Sequence, residues 1–432
     1  MKQRRTAAIL LVLALAVSLC ACSSESISAF DYSLPADGAS GANAVVSVSQ
    51  VPIPAVPDVV PTQENGVISA AEWEEYYPEI VASMKATADN NPDDRAEYPE
   101  ENPDIQILYD GMAFSFDYTE AIGHEYTLQD IAATTRPHKL ANCLTCKTPD
   151  FTALVNNEGQ SAYALTFDEV YPSMNENISC YNCHGNTPGT IVLTHDYAAN
   201  AWNDELEAGT VMANDAACGQ CHIEYYFDKE TKAASVPYSN LSETHPDAIL
   251  AYYNETGFVD YTNSNTGVGQ IKVQHPEFET VTGEGSVHGS TYSCADCHMG
   301  VAYDESGNAY VNHEFTNPQD NEVLMTNTCG TCHGTVAKDL TTLISDIQTE
   351  ITGRENEVSA ILVELNQKLA EAVEAGVMSE EELDEIRALD RDAQFYWDFV
   401  YVENSEGCHN SSLSRYCLDK AEEIARQALD ML

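Results

Sequence analysis

Towards the C-terminus, apolar residues recur at helical spacing over a long stretch. Ile344, Ile351, Val358, Leu365 and Ala372 stand seven residues apart, and Ile347, Ile361, Leu362 and Leu369 widen the stripe. That period gathers apolar side chains on one face of an α-helix. Gly376 supplies a stop, because glycine accepts the left-handed turn that ends a helix. Ser379 and Glu382 then form a capping pair that opens another helix, carrying Leu383, Ile386, Leu389, Phe395, Trp397 and Phe399. A last helix is expected over about residues 412–431. Residues 337–432 thus read as a helical region covering the rest of the protein. The long stripe either only covers that body or also meets a second copy of itself.

Upstream the pattern changes. Residues 67–336 mix short helical stretches with few strands and much Gly, Asn, Pro and Thr. Ser69 is a candidate cap for a helix carrying Trp73, Tyr76 and Tyr77. A body with so few long apolar stripes needs something besides its own side chains to pack around. Residues 22–66 are rich in Ser, Ala, Val and Pro and read as a flexible tether. Before them, Lys2, Arg4 and Arg5 precede an apolar run from Ala7 to Leu19, the layout of an export signal and short for a membrane span. The run ends in Leu19-Cys20-Ala21-Cys22, which resembles a bacterial lipobox. Residues 1–21 are therefore expected to be a lipoprotein signal peptide, with Cys22, in preference to Cys20, carrying the lipid. The protein would be exported and held by lipid alone at the outer face of the cytoplasmic membrane or in the periplasm.

Charge narrows the partners. Lys and Arg number 19 against 69 Asp and Glu, a formal charge of −50 over 432 residues. Nucleic acid, which needs a basic face, is excluded, and so is adhesion to an anionic bilayer by charge. A hydrophobic content of 44% supports a large core and rules out a disordered acidic tail.

The chemistry lies in the 14 cysteines. Ten of them form C-x-x-C pairs: Cys143/Cys146, Cys180/Cys183, Cys218/Cys221, Cys294/Cys297 and Cys329/Cys332. His184, His222, His298 and His333 follow four of the pairs at once, and Lys147 follows the first. In c-type attachment two thiols bond to the edge of one porphyrin and the next residue ligates its iron. Zinc takes two such pairs per ion, which leaves one pair over, and thiol–disulfide exchange needs only one. Five haems c follow, and with them a mainly α multihaem cytochrome c body with few short strands, packed around the haems. Cys408 and Cys417 remain, as a disulfide or as free thiols.

Beyond the four proximal histidines stand His124, His138, His195, His245, His275, His288, His313 and His409. A haem that only carries electrons takes a second axial ligand, normally His. Lys147 differs, since an amine binds iron only when deprotonated. The haem above it is expected to be the working one, with an open distal face.

These residues resemble the ammonia-forming, pentahaem cytochrome c nitrite reductases over roughly residues 70–430. Cys218-Gly-Gln-Cys-His222 running into Ile223-Glu224-Tyr225-Tyr226-Phe227, and Lys272-Val-Gln-His275-Pro-Glu277, look like that family's active-site signatures. The resemblance implies six-electron reduction of nitrite to ammonium, with Arg136, Tyr225 and His275 lining the distal pocket. It implies calcium held by the Glu224 carboxylate, the carbonyls of Tyr225 and Lys272, and the Gln274 side chain. Arg136, a protonated His275 and the calcium would supply the positive field for the anion. Distal haem ligands would be His313, His124, His409 and His288 for the second to fifth haems in sequence order. His138, His195 and His245 are left as surface or structural residues. A membrane-bound quinol-oxidising cytochrome would donate electrons, and the resemblance favours a homodimer. The competing readings are an electron carrier without substrate, or a reductase of hydroxylamine, sulfite or another small compound.

Overall fold

The computed structural model describes residues 47–432 except 53, 54, 56, 58, 59, 91–94, 138, 139, 210, 322, 323 and 334–336; the side chains of 90, 327, 331, 332 and 337–339 are also left out. The expected signal peptide with Cys20 and Cys22, much of the expected tether, His138 and the Cys332 side chain lie outside the described residues. No described helix is long and apolar enough to cross a membrane.

Ser69 caps its helix as expected: Glu72 N donates to Ser69 Oγ at 3.3 Å, and Ser69 N donates to the Glu72 carboxylate at 2.8 Å. That helix, α1 (Ala70–Trp73), is only one turn long. Proline lacks an N–H and suits a first turn, so Pro78 starts a separate helix, α2 (Pro78–Ala86). Tyr76 and Tyr77 therefore lie between two helices and not on one.

Further on come α3 (Pro149–Glu158), α4 (Asp196–Ala208) and α5 (Pro246–Thr256), with shorter helices between them. The strands are short antiparallel pairs: β1 (Tyr226–Phe227) with β2 (Ala234–Ser235), β3 (Tyr261–Thr262) with β4 (Gly269–Gln270), and β5 (Val301–Tyr303) with β6 (Ala309–Val311). The mainly helical body with few strands stands as expected.

Three long helices close the chain: α6 (Ala337–Ala375), α7 (Glu380–Tyr401) and α8 (Ser411–Leu429). Gly376 follows α6 with φ +59°, the left-handed stop, and Ser379 with Glu382 caps α7 reciprocally. Ile351, Val358, Leu362, Leu365 and Leu369 are wholly buried inside this one chain, in the core shared with α7 and α8. This part of the stripe packs within one protomer, while Ile344, Ile347, Ile361 and Ala372 are only partly buried. Leu365→Ala is expected to lower the unfolding free energy by about 2–5 kcal/mol, the range for a buried Leu that leaves a cavity. Guanidinium denaturation measures it, and a loss near zero would return the stripe to an intermolecular role.

The second half of α7 is buried almost all round, with polar side chains among its aromatics. Gln394 Nε2 donates to Leu108 O at 3.0 Å and Tyr261 Oη at 2.8 Å, and its Oε1 accepts from Gln270 Nε2 at 3.0 Å. Arg391 donates to Phe258 O at 2.6 Å, and Arg387 Nε to Thr266 O at 3.0 Å. These bonds grip the β3–β4 hairpin from its start to its tip. The C-terminal helices thereby hold the segment that runs directly into Lys272–His275.

Candidate functional site

The attachment motifs sit on local helical turns, which explains their spacing. Residues i, i+3 and i+4 share one face of a helix, so C-x-x-C-H presents two thiols and an imidazole together. Cys180–His184 and Cys294–His298 are one-turn helices with capping boxes. Ser179 N donates to Asn182 Oδ1 at 3.1 Å, and Ser293 N to Asp296 Oδ2 at 2.9 Å, so a residue between the cysteines closes each turn. His222 N donates to Cys218 O at 2.9 Å, and Lys147 N to Leu144 O at 3.1 Å, giving similar turns at two further motifs.

Each proximal histidine faces another imidazole. Ring centres stand 6.3 Å apart for His184 and His313, 6.3 Å for His222 and His124, 5.9 Å for His298 and His409, and 6.1 Å for His333 and His288. An iron bonded on both sides needs about 2.0 Å to each nitrogen and about 1.1 Å more to each ring centre, which totals about 6 Å. The residues fit one six-coordinate iron per pair; His275 stands at the same 6.3 Å from His222 as His124 does, so at that motif the choice of His124 comes from the resemblance and not from ring separation. Burial lowers the imidazole pKa to about 4 at His124 and His313 and, with neighbouring cations adding, to about 3 at His222. Neutral imidazoles are the form that binds metal.

The thiols trace the order of the motifs in space. Cys146 lies within hydrogen-bonding reach of Cys221, and Cys294 of Cys218. Cys218 also acts on Cys183, and Cys329 on Cys297. The first motif therefore adjoins the third, the second branches from the third, and the fourth lies between third and fifth. Chain order and spatial order differ.

Cys146, Cys221 and the ring of His195 lie within 4.8 Å of one another. His195 is buried, stacks on Tyr197 at 5.4 Å, and places Nε2 3.5 Å from Cys221 Sγ. It is structural and not a surface residue, packed where the first and third motifs meet. His245 caps α5, its Nδ1 accepting from Asp247 N at 3.3 Å. Cys408 and Cys417 are free thiols, so the disulfide alternative falls; Cys417 is buried, and Cys408 Sγ stands 3.8 Å from Ile344 O.

Around the Lys147 motif the expected pocket residues gather. Burial pushes the Cys143 thiol up, while Arg136 and Lys147 both oppose the shift. Arg136 lies over the Phe114 ring at 4.3 Å and donates from Nε to Thr134 Oγ1 at 2.9 Å. The Tyr225 phenol is held well above its usual pKa, first of all by burial. His275 stands 6.3 Å from His222. Its side chain is 44% accessible. Burial, with Lys147 and Lys272 adding, lowers His275 to about 3. Arg136 adds a positive charge at the same motif.

Glu224 is wholly buried, and burial drives its carboxyl well above the usual range. It accepts from Tyr253 Oη at 2.7 Å and Gln274 N at 2.6 Å. The Gln274 amide lies 2.9 Å from Lys272 O, donating from Nε2. Exchanging the two ends of that amide, an assignment made from hydrogen bonding alone, would bring a second oxygen to Lys272 O. Buried carboxylate, carbonyl and amide oxygen together make a donor set for a hard cation.

Three supporting residues escaped the sequence reading: Phe114 beneath Arg136, Asp398 against Lys272, and Glu403 beside His409. Each acts across a large separation or without a motif; only Glu403, six residues before His409, left a local trace.

The serial attachment turns and facing imidazoles define a multihaem c-type cytochrome. The cytochrome c552 family profile matches residues 69–432. The chain belongs to the cytochrome c552 family, and its motifs carry haem c. Among solved structures, it resembles in fold the cytochrome c nitrite reductase of Desulfovibrio desulfuricans ATCC 27774, whose catalytic subunit has two calcium sites: 24% identity, TM-score 0.73, over 84% of this chain and 85% of that one. The outer cell wall cytochrome OcwA matches at 18% identity and TM-score 0.38, over 76% of this chain and 50% of that one. The undecahaem S-layer cytochrome of Carboxydothermus ferrireducens matches at 16% and 0.35, over 72% and 41%.

Proposed function

We propose that the protein reduces nitrite to ammonium at the haem attached through Cys143, Cys146 and Lys147. The observation that carries this reading is an asymmetry. Four motifs end in histidines that face His313, His124, His409 and His288, whereas the first ends in Lys147 and has Arg136, Tyr225 and His275 around it. Those four histidines are assigned as distal ligands. When bound, the haems supply electrons and an iron for the substrate nitrogen.

The protein's own part is electrostatic and positional. Arg136 provides the local positive charge that admits an anion to a protein of formal charge −50. The His275 ring and the Tyr225 hydroxyl are hydrogen-bond donors for the substrate oxygens and stations for the protons the reaction consumes. Glu224, the carbonyls of Tyr225 and Lys272, and Gln274 would hold calcium, adding positive charge beside the pocket and fixing the Tyr225 and Gln274–His275 backbones. The acidic exterior leaves the cationic pocket as the place where nitrite settles.

Purified holoprotein is expected to contain five haems, one of them high-spin, and to turn over nitrite in steady state faster than sulfite. A spectrum with low-spin haem alone would make it a carrier. Negligible nitrite turnover beside rapid use of another small substrate would replace the assignment.

A further inference from the structure

We propose that Glu403 is a positioning residue that lowers the reduction potential of the haem held by Cys294, Cys297, His298 and His409. It rests on the assignment of His409 as distal ligand. His409 Nδ1 meets Glu403 Oε1 at 2.5 Å, and Glu403 is buried at 4% exposure. The other ligand rings that have an Nδ1 acceptor meet main-chain carbonyls: His184 to Thr190 O at 2.9 Å, His298 to Thr316 O at 3.1 Å, and His313 to Val311 O at 2.9 Å. A carboxylate draws on Nδ1–H more strongly than a carbonyl does, makes the far nitrogen a better donor to iron, and favours the ferric state. Its charge is poorly screened at this depth.

The contact is built into the chain. Glu403 and His409 are the two sides of a tight turn after α7, and Ser405 ties them together: its Oγ donates to Glu403 Oε2 at 2.5 Å and accepts from His409 N at 2.9 Å. Gly407 lets the turn pass against α6. Its φ is +88°, and a Cβ there would come 2.5 Å from Ile351 Cγ1.

The consequence follows from the spatial order. The fourth motif lies between third and fifth, so a lowered potential makes it a step that an electron crosses and not a store that keeps it.

The test is a spectroelectrochemical titration of the full-length holoprotein and Glu403→Gln, with Glu305→Gln as the same charge change at an exposed turn. In Glu403→Gln one haem is expected to reduce about ten-fold more favourably, about 59 mV for one electron, while the rest and the Glu305→Gln protein stay in place. No shift, or an equal shift of all haems, overturns the proposal. If the Gln variant lacks its full haem complement, Glu403→Asp is read instead, which keeps the charge and withdraws it by one methylene. The same haem should shift the same way by less, and an unmoved titration overturns the proposal. His409→Ala tests the ligation itself: a new high-spin haem upholds it, so failure of the ligand assignment and failure of the Glu403 role are separate results.

Discussion

Arg136→Ala is expected to lower kcat/KM for nitrite by about 10²–10³, the cost of removing one preorganised charge-stabilising donor from a water-poor site. The guanidinium is held from two sides, by the Phe114 face at 4.3 Å and by Thr134 Oγ1 at 2.9 Å, so its charge is placed before substrate arrives. Thr134 Oγ1 in turn donates to Asp117 Oδ2 at 3.1 Å, which fixes the segment leading into Arg136. Arg136→Lys should recover part of the loss, since lysine restores the charge but not the planar fork. Steady-state assays with a reduced dye as donor measure both variants. Hydroxylamine, uncharged at neutral pH, should lose much less than nitrite in Arg136→Ala. Equal losses on the two substrates, or a changed haem count, would move Arg136 from the pocket to the scaffold.

The second large effect lies away from the haem motifs. Lys272 Nζ and Asp398 Oδ1 form an ion pair at 3.1 Å, with the two side chains 2% and 0% exposed. Burial raises the Asp398 carboxyl and lowers the Lys272 ammonium, and each partner opposes the other's shift. Tyr109 Oη and Val273 N also donate to Asp398, so the carboxylate is fully used. The ammonium lies 4.8 Å from the Tyr109 ring centre and 5.9 Å from that of Phe114, the ring that carries Arg136. Asp398→Asn strands a buried ammonium and is expected to lower stability by about 3–5 kcal/mol. It also loosens Val273, next to Gln274 and His275, so kcat for nitrite should fall as well. Denaturation of the holoprotein measures the first effect. Joining Asp398→Leu to Lys272→Met should restore most of the stability, because an apolar pair carries no desolvation cost. A double variant as unstable as Asp398→Asn would show that packing, and not charge, sets the effect.

Local rules carried much of the architecture into the sequence. The Ser379–Glu382 cap, the Gly376 stop and the seven-residue stripe depend on neighbours a few positions away, and they reappear in α6 and α7. The attachment turns are legible for the same reason, since two thiols and the next ligand must share one helical face. The stripe's partner was not legible: periodicity shows that a face is buried but not against what, and here α7 and α8 cover it. Tyr76 and Tyr77 missed their expected helix because Pro78 begins a new one.

What the amino-acid order determined by itself was therefore the chemistry attached to the chain: haem c at the C-x-x-C motifs, an amine at the first and imidazoles at the rest. Such groups are specified by residues within one turn of each other. Which imidazole faces which, that the first motif adjoins the third, and that Glu403 reaches His409 were decided only in three dimensions. Ring separation, burial and the spread of charge depend on elements brought together from distant parts of the chain, and no spacing along it encodes them.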